Sequence, residues 1–261
     1  MKAHEFINIL RSQGRYYFTI TDAEIALELT KIATINTLRR LRLKNAVVSP
    51  ARGFYLILPP EYQILGCLPA EMFIPDLMKH LNQPYYVGFI SAAQYYGAAH
   101  QKPQRFQVVT SKTRSPIHCG RVYVEFIANK HAAEMPTKKF NTSAGTINIA
   151  TPEVIAADIV SMPQHAAGIS NTATILADLA EEIDIQRLIE LTKHRPELFW
   201  LQRLGYLLEF LSFNQLANEI SKILSDKQLH WARLVSQAKY KPLQRNKKWK
   251  IIVNTQVEPD E

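Results

Sequence analysis

Two long stretches of the chain, Leu81 to Gln101 and Ile159 to Ala177, contain no Asp, Glu, Lys or Arg. Segments of that kind either cross a membrane or lie inside a protein core. A spanning helix needs about 20 predominantly apolar residues, whereas both stretches are interrupted by Pro, Gly, Gln, Asn and His. They are therefore expected to be interior segments of a chain with no membrane partner. No long apolar run follows Lys2 and Glu5, so no signal peptide is expected, and the expected compartment is the cytoplasm. A chain that is 47% hydrophobic and only 21% charged buries a core, which excludes the disordered classes. At roughly 100 to 200 residues per domain, 261 residues favour two domains. Cys67 and Cys119 stand 52 residues apart without a CxxC spacing, so neither a zinc module nor a secreted disulfide framework is indicated.

The formal charge of +8 is unevenly placed. Residues 1–60 hold nine Lys/Arg against four Asp/Glu, residues 61–238 hold sixteen of each, and residues 239–261 hold six against three. A solubility requirement would spread such charge, whereas polyanion binding concentrates it on particular elements.

In the N-terminal part, Phe6, Ile9 and Leu10 recur at helical spacing and stop before Gly14, which predicts a first helix. After Tyr16-Tyr17-Phe18, Thr21 with Asp22 and Glu24 opens a second. Thr34 caps a third, with Ile35, Leu38 and Leu41 as its apolar stripe and Asn36, Thr37, Arg40 and Lys44 opposite, flanked by Arg39. Two β-rich runs around Pro50-Ala51-Arg52-Gly53 then predict a hairpin. Three helices followed by a hairpin read as a winged helix-turn-helix over residues 1–60, with Arg52 at the wing tip. The recognition helix of such a unit enters the major groove. Asn and Arg have bidentate geometry for adenine and guanine, so Asn36 and Arg40 are the base-reading candidates, with Thr34 and Thr37 as smaller contacts. Arg39, Lys44 and Arg52 are assigned to phosphates. The competing reading is a solvated amphipathic helix or a protein-binding winged helix.

Pro59-Pro60 marks a linker into an α+β domain over residues 61–238. Helices are expected around Met72 to Leu81 and Tyr86 to Tyr96, the latter ending at Gly97. Strands are expected at Phe106 to Val109, at Val122 to Phe126 and on either side of Ser143-Ala144-Gly145. From Thr151-Pro152-Glu153, a Thr cap followed by Pro and an acid, the pattern turns helical. Further helices are expected at 171–182, 184–193 and 197–224, with a break near Ser212. Strands grouped before helices make the fold class α+β, with a mixed second domain whose C-terminal part is helical.

The segment YYVGFISAAQYYGAAHQKPQRFQVVT (85–110), preceded by RGFYLILPPEY (52–62) and followed by ATPEVIAADIV (150–160), resembles the AbiEi-type antitoxins of type IV toxin-antitoxin systems linked to abortive phage infection. The resemblance extends to about residue 210. It implies an antitoxin whose N-terminal domain binds inverted repeats in its own promoter cooperatively and represses an operon shared with a nucleotidyltransferase-like toxin. It also implies opposition to the toxin without a stable complex. The alternatives are a winged-helix regulator whose second domain senses a ligand, a nucleic-acid-modifying enzyme, and direct capture of the toxin.

Catalytic signatures are missing. No phosphate-binding glycine loop, HExxH or metal-spaced Cys/His cluster occurs, and His118-Cys119 is merely an adjacent pair. Glu125 and Lys130 are too far apart for a nuclease ExK. Ser91 and His100 are the nearest nucleophile and base, but without a motif they read as packing or capping. No cofactor, metal or enzymatic activity is expected. The tyrosine pairs Tyr85-Tyr86 and Tyr95-Tyr96 read as core rather than base-stacking groups. Between Asp76 and Glu125, six basic residues stand without an acid. Lys102, Arg105 and Arg114 would form a second nucleic-acid patch if they converged, against the alternative of a solvated strand face. The basic tail, residues 239–261, is either a backbone-binding arm or an extension in which Trp249 to Val253 adds an edge strand.

Overall fold

A computed structural model of the chain describes residues 1–99, 103–238 and 244–259. Helix α1 (Ala3–Ser12) buries Phe6, Ile7 and Leu10, and β1 (Tyr17–Thr19) leads into α2 (Ile20–Leu27). The cap of α2 is Thr19, two residues before the expected Thr21. The Thr19 hydroxyl accepts the Asp22 N–H at 3.1 Å while the Asp22 carboxylate accepts the Thr19 N–H at 2.8 Å, a closed capping box. Glu28, left-handed at φ 53°, turns the chain into α3 (Lys31–Leu43). The cap of α3 is Thr30, whose hydroxyl accepts the Ala33 N–H at 3.4 Å, so Thr34 lies inside the helix.

Strands β2 (Val47–Ala51) and β3 (Phe54–Ile57) form the hairpin, with Arg52-Gly53 as its turn and Gly53 at φ 75°. Gly accepts that left-handed conformation without steric cost. Strand β3 also pairs antiparallel with β1, giving the order β1-β3-β2. Phe6, Phe18, Ala23, Leu27, Leu38 and Val47 close the core between helices and sheet, with the Phe6 and Phe18 rings edge-on at 5.2 Å.

The chain continues through α4 (Ala70–His80), β4 (Tyr85–Val87), α5 (Phe89–Ala93), β5 (Phe106–Thr110), β6 (Ile117–Cys119) and β7 (Val122–Ala128). Then follow β8 (Thr137–Thr142), β9 (Gly145–Ala150), α6 (Pro152–Ser161), α7 (Ile169–Leu179), α8 (Ile185–His194), α9 (Phe199–Phe210) and α10 (Asn214–Leu224). Short strands β10 (Ala232–Arg233), β11 (Gln244–Asn246) and β12 (Ile251–Val253) complete the described elements. The large sheet runs β6-β7-β5-β4-β9-β8, with β5 parallel to β7 and β6 antiparallel to it. The fold is α+β. No described helix is long and apolar enough to cross a membrane.

The chain divides into two compact units: residues 1–86, 104–132 and 139–148, and residues 87–103, 133–138 and 149–261. This division does not coincide with the boundaries expected at 60 and 238. In the first unit, Phe54 and Leu56 of the hairpin are buried with Phe73 and Leu77 of α4, Val108 of β5 and Val124 of β7. Pro59-Pro60, expected as a linker, leads into a 3-10 turn at Pro60–Tyr62.

In the second unit every residue of α6 from Pro152 to Val160 is buried, among them Asp158, which is paired with Arg195 at 2.8 Å. The uncharged stretch from Ile159 to Ala177 runs from the end of α6 into α7, where Ile169, Ala173, Ile175 and Leu176 are buried. Ser212, at φ 68°, separates α9 from α10 where the break was expected. Of the basic tail, 239–243 and 260–261 lie outside the described residues. Its described part is built into a sheet of order β10-β12-β11, in which β12 is the central strand rather than an edge. Trp249 is 1% exposed, and its indole N–H donates to Glu209 at 2.5 Å. That part of the tail is folded into the unit, with Trp249, Ile251, Val253 and Asn254 buried and Arg245, Lys247 and Lys248 exposed.

Candidate nucleic-acid interface

The first unit presents α3 and the hairpin turn to solvent. With the helix starting after Thr30, its inward face is Thr34, Leu38 and Leu41, not the expected Ile35, Leu38 and Leu41. Thr34 is fully buried and its hydroxyl has no hydrogen-bond partner among the described residues, so it cannot contact DNA in this arrangement. Asn36, Arg39, Arg40 and Lys44 are exposed, and Thr37 is half-buried at the edge of the same face. Arg52 is exposed on the hairpin turn. Helix α3 contains no acid, and the nearby Asp22 is already engaged by Arg15 at 2.7 Å.

Apolar side chains on this surface escaped the sequence reading. Ile32, 75% exposed, and Leu43, 78% exposed, stand on the same helix face as Asn36 and Arg39, with Ile35 beside them. Their positions at i, i+4, i+7 and i+11 follow once Thr30, not Thr34, is taken as the cap. Exposed aliphatic groups beside Asn and Arg are suited to the thymine methyl in the major groove.

The second basic patch does not assemble as expected. Lys102 lies outside the described residues, as does His100. Arg105 lies over Tyr123 at 5.2 Å and within 3.9 Å of Glu125, whereas Arg114 lies over Phe126 at 5.7 Å and donates to Gln83 at 3.2 Å. Successive residues of a strand point to opposite faces. Tyr123 and Phe126 are three apart on β7, so the two guanidinium groups sit on different faces.

The second unit holds a cavity of about 520 Å³ at the start of α6. Thr151 makes no side-chain cap there, and its hydroxyl has no hydrogen-bond partner among the described residues. Glu153, 1% exposed, accepts the Asp184 N–H through Oε1 at 2.9 Å, but Oε2 has no such partner. Burial, followed by the Glu153 carboxylate, pushes the Tyr96 hydroxyl up to about 12. Lys138 and Arg187 complete the charged wall. Ser91 is buried in α5, and among the described residues no cluster of His, Cys, Asp and Glu is placed to hold a metal ion.

The description "AbiEi antitoxin C-terminal domain" matches residues 86–210. This segment belongs to the AbiEi antitoxin family. The AbiEi domain runs from β4 to the last residue of α9 and contains both the 85–110 motif, save its first residue, and the 150–160 motif. It leaves α3 and the hairpin outside, together with Trp249. No curated protein matches the chain by sequence. Among solved structures, the RV2827C protein from Mycobacterium tuberculosis has a similar fold, with a TM-score of 0.69 at 18% identity, over 95% of this chain and 90% of that one. The match over residues 86–210 supports an antitoxin role in a toxin-antitoxin system.

Proposed function

We propose that the protein is both antitoxin and DNA-binding autorepressor of a type IV toxin-antitoxin operon, acting in the cytoplasm as part of phage defence. Residues 1–60 act as a winged helix-turn-helix that reads inverted repeats in the operon's promoter, and the AbiEi domain opposes a nucleotidyltransferase-like toxin without forming a stable complex. The protein regulates and performs no catalysis.

The observation that carries this reading is the acid-free helix α3, on which Asn36, Arg39, Arg40 and Lys44 are exposed, as is Arg52 on the hairpin turn. Gel shifts of the full chain on the DNA upstream of its gene, over a range of salt, test it. Each phosphate neutralised contributes about −0.9 to the slope of log affinity against log salt. Equal affinity for upstream and unrelated DNA would overturn the repressor reading. Co-purification of the toxin with the protein would overturn the absence of a stable complex.

A second reading is favoured by the cavity at α6: a regulator whose AbiEi domain senses a small molecule that donates hydrogen bonds to Glu153 Oε2. A downstream nucleotidyltransferase gene whose toxicity the protein suppresses would decide for the first.

A further inference from the structure

Cys67 and Cys119 belong to neither surface described above, yet the fold brings them together across 52 residues of sequence. Residues 65–67 and 119–121 run backbone against backbone. The Arg121 N–H donates to the Leu65 carbonyl at 2.8 Å, and a Cβ built on Gly120 would stand 2.7 Å from Gly66 Cα. Each of these glycines adjoins one cysteine, so the contact carries both thiols to the same place. Both are reduced, both lie in the core cluster around Phe73 and Val124, and the thiols hydrogen-bond to each other.

Their surroundings differ. Cys67 is fully buried, and the hydrogen bond to Cys119, together with burial, pushes its thiol up. Cys119 is 7% exposed and borders a cavity of about 490 Å³. Arg39, Arg42, Leu43 and Asn45, on or just after α3, form one wall of this cavity, and its lining holds no acid. The hydrogen bond from Cys67 outweighs burial and lowers the Cys119 thiol, and the Arg42 guanidinium acts in the same direction. A reachable, electropositive setting is what makes a thiol nucleophilic.

We infer that Cys67 and Cys119 are a peroxide-sensitive dithiol beside α3, with Cys119 as the attacking residue and Cys67 as the resolving one. The Cys119 thiolate attacks one oxygen of hydrogen peroxide and the O–O bond breaks. The departing hydroxide takes up a proton to become water, leaving Cys119 as a sulfenic acid. The Cys67 sulfur then attacks the Cys119 sulfur, the S–O bond breaks, and the leaving hydroxide takes the Cys67 proton as a second water. The two thiols give up two electrons and the peroxide is reduced to water.

Disulfide formation contracts the sulfur separation to about 2.05 Å. The glycine contact leaves no slack, because a Cβ on Gly120 would already be 2.2 Å from the Leu65 carbonyl oxygen. The contraction therefore falls on the backbone around Cys119, which lines the same cavity as Arg42 and Asn45. The resulting change in DNA affinity rests on the DNA-reading function proposed above; the chemistry of the dithiol does not.

The test treats the reduced full chain with hydrogen peroxide, blocks free thiols and maps peptides by mass. The expected product links the peptides carrying residues 67 and 119. Cys67→Ser is expected to accumulate a dimedone-trapped sulfenic acid on Cys119, and Cys119→Ser to give neither product. Both thiols remaining free in peroxide-treated wild-type protein, or sulfenic acid appearing on Cys67, overturns the assignment, and the wild-type map decides even if a variant fails to fold. Gel shifts before and after oxidation are expected to differ by roughly fivefold or more, reversibly with dithiothreitol. A disulfide with unchanged DNA affinity overturns the link to α3. A reduced protein that binds no DNA overturns the DNA-reading function instead and leaves the peptide map to decide the dithiol.

Discussion

Gly205, midway along α9, lies directly beneath the indole ring of Trp249, so that a Cβ on the glycine would stand 2.1 Å from Cζ3. Only the absence of a side chain lets the indole reach Glu209 one turn further on. Overpacking a filled core costs about 1 to 3 kcal/mol. Gly205→Ala is accordingly expected to lower the urea midpoint by an amount in that range and to shift Trp249 emission toward that of an exposed indole. In a Trp249→Ala background the cost of the same substitution should shrink. Additive costs would show that the two residues do not share the contact.

On α3, Asn36→Ala or Arg40→Ala is expected to weaken operator binding by about 1 to 3 kcal/mol and to relax sequence preference. Lys44→Ala should weaken binding to all sequences alike and flatten the salt slope by about one. Gel shifts unchanged by all three would remove α3 from the interface.

Thr34 supplies the complementary control. A buried hydroxyl without a partner costs about 1 to 3 kcal/mol, so Thr34→Val should raise the thermal midpoint and leave DNA affinity untouched. Loss of affinity in this variant would mean that the side chain turns outward on DNA.

The buried pair of Asp158 and Arg195 gives a fourth expectation. Removing one partner of such a pair costs about 3 to 5 kcal/mol, because the remaining charge is stranded in the interior. Arg195→Ala strands the Asp158 carboxylate, 1% exposed, and should destabilise the second unit more than Asp158→Asn, which strands the less buried Arg195, 14% exposed. Equal unfolding midpoints for the two variants would contradict this.

Partial burial works against the charge on Asp22, but hydrogen bonds from the Thr19 backbone and hydroxyl and the Arg15 guanidinium hold its carboxyl below the usual range. A carboxyl with a lowered folded-state pKa contributes stability that is present above the ordinary carboxylate range and is lost as pH falls through the lowered value. Asp22→Asn should consequently reduce stability at neutral pH and flatten the acid limb of the stability curve below about pH 4. Thermal melts across that range, with parallel curves for the two proteins, would refute it.

The sequence carried the elements whose signals are local. Pro152 and Glu153 mark the first turn of α6, although the Thr151 hydroxyl makes no cap bond, and Ser212 and Gly97 mark helix ends, because such signals are written within a few residues. The cap of α3 was misplaced by four residues, since two threonines with equal capping chemistry, Thr30 and Thr34, stand one helical turn apart. The turn before α3 is made by Glu28 in a left-handed conformation, where no glycine signals it. That error rotated the apolar stripe and hid Ile32 and Leu43 from the candidate face. Helix Tyr86 to Tyr96 was drawn too long, because β4 and the short α5 share one uncharged run. The meeting of Cys67 with Cys119 and of Trp249 with Gly205 depends on contacts remote in sequence, for which spacing holds no signal.

The interleaving of the two units along the chain sets the order in which their cores can close. A ribosome must deliver residue 148 before the first unit has all its stretches, and Trp249 before Gly205 is covered. A chain halted before residue 148 therefore lacks part of the first unit, and one halted between residues 205 and 249 carries α9 with Gly205 uncovered.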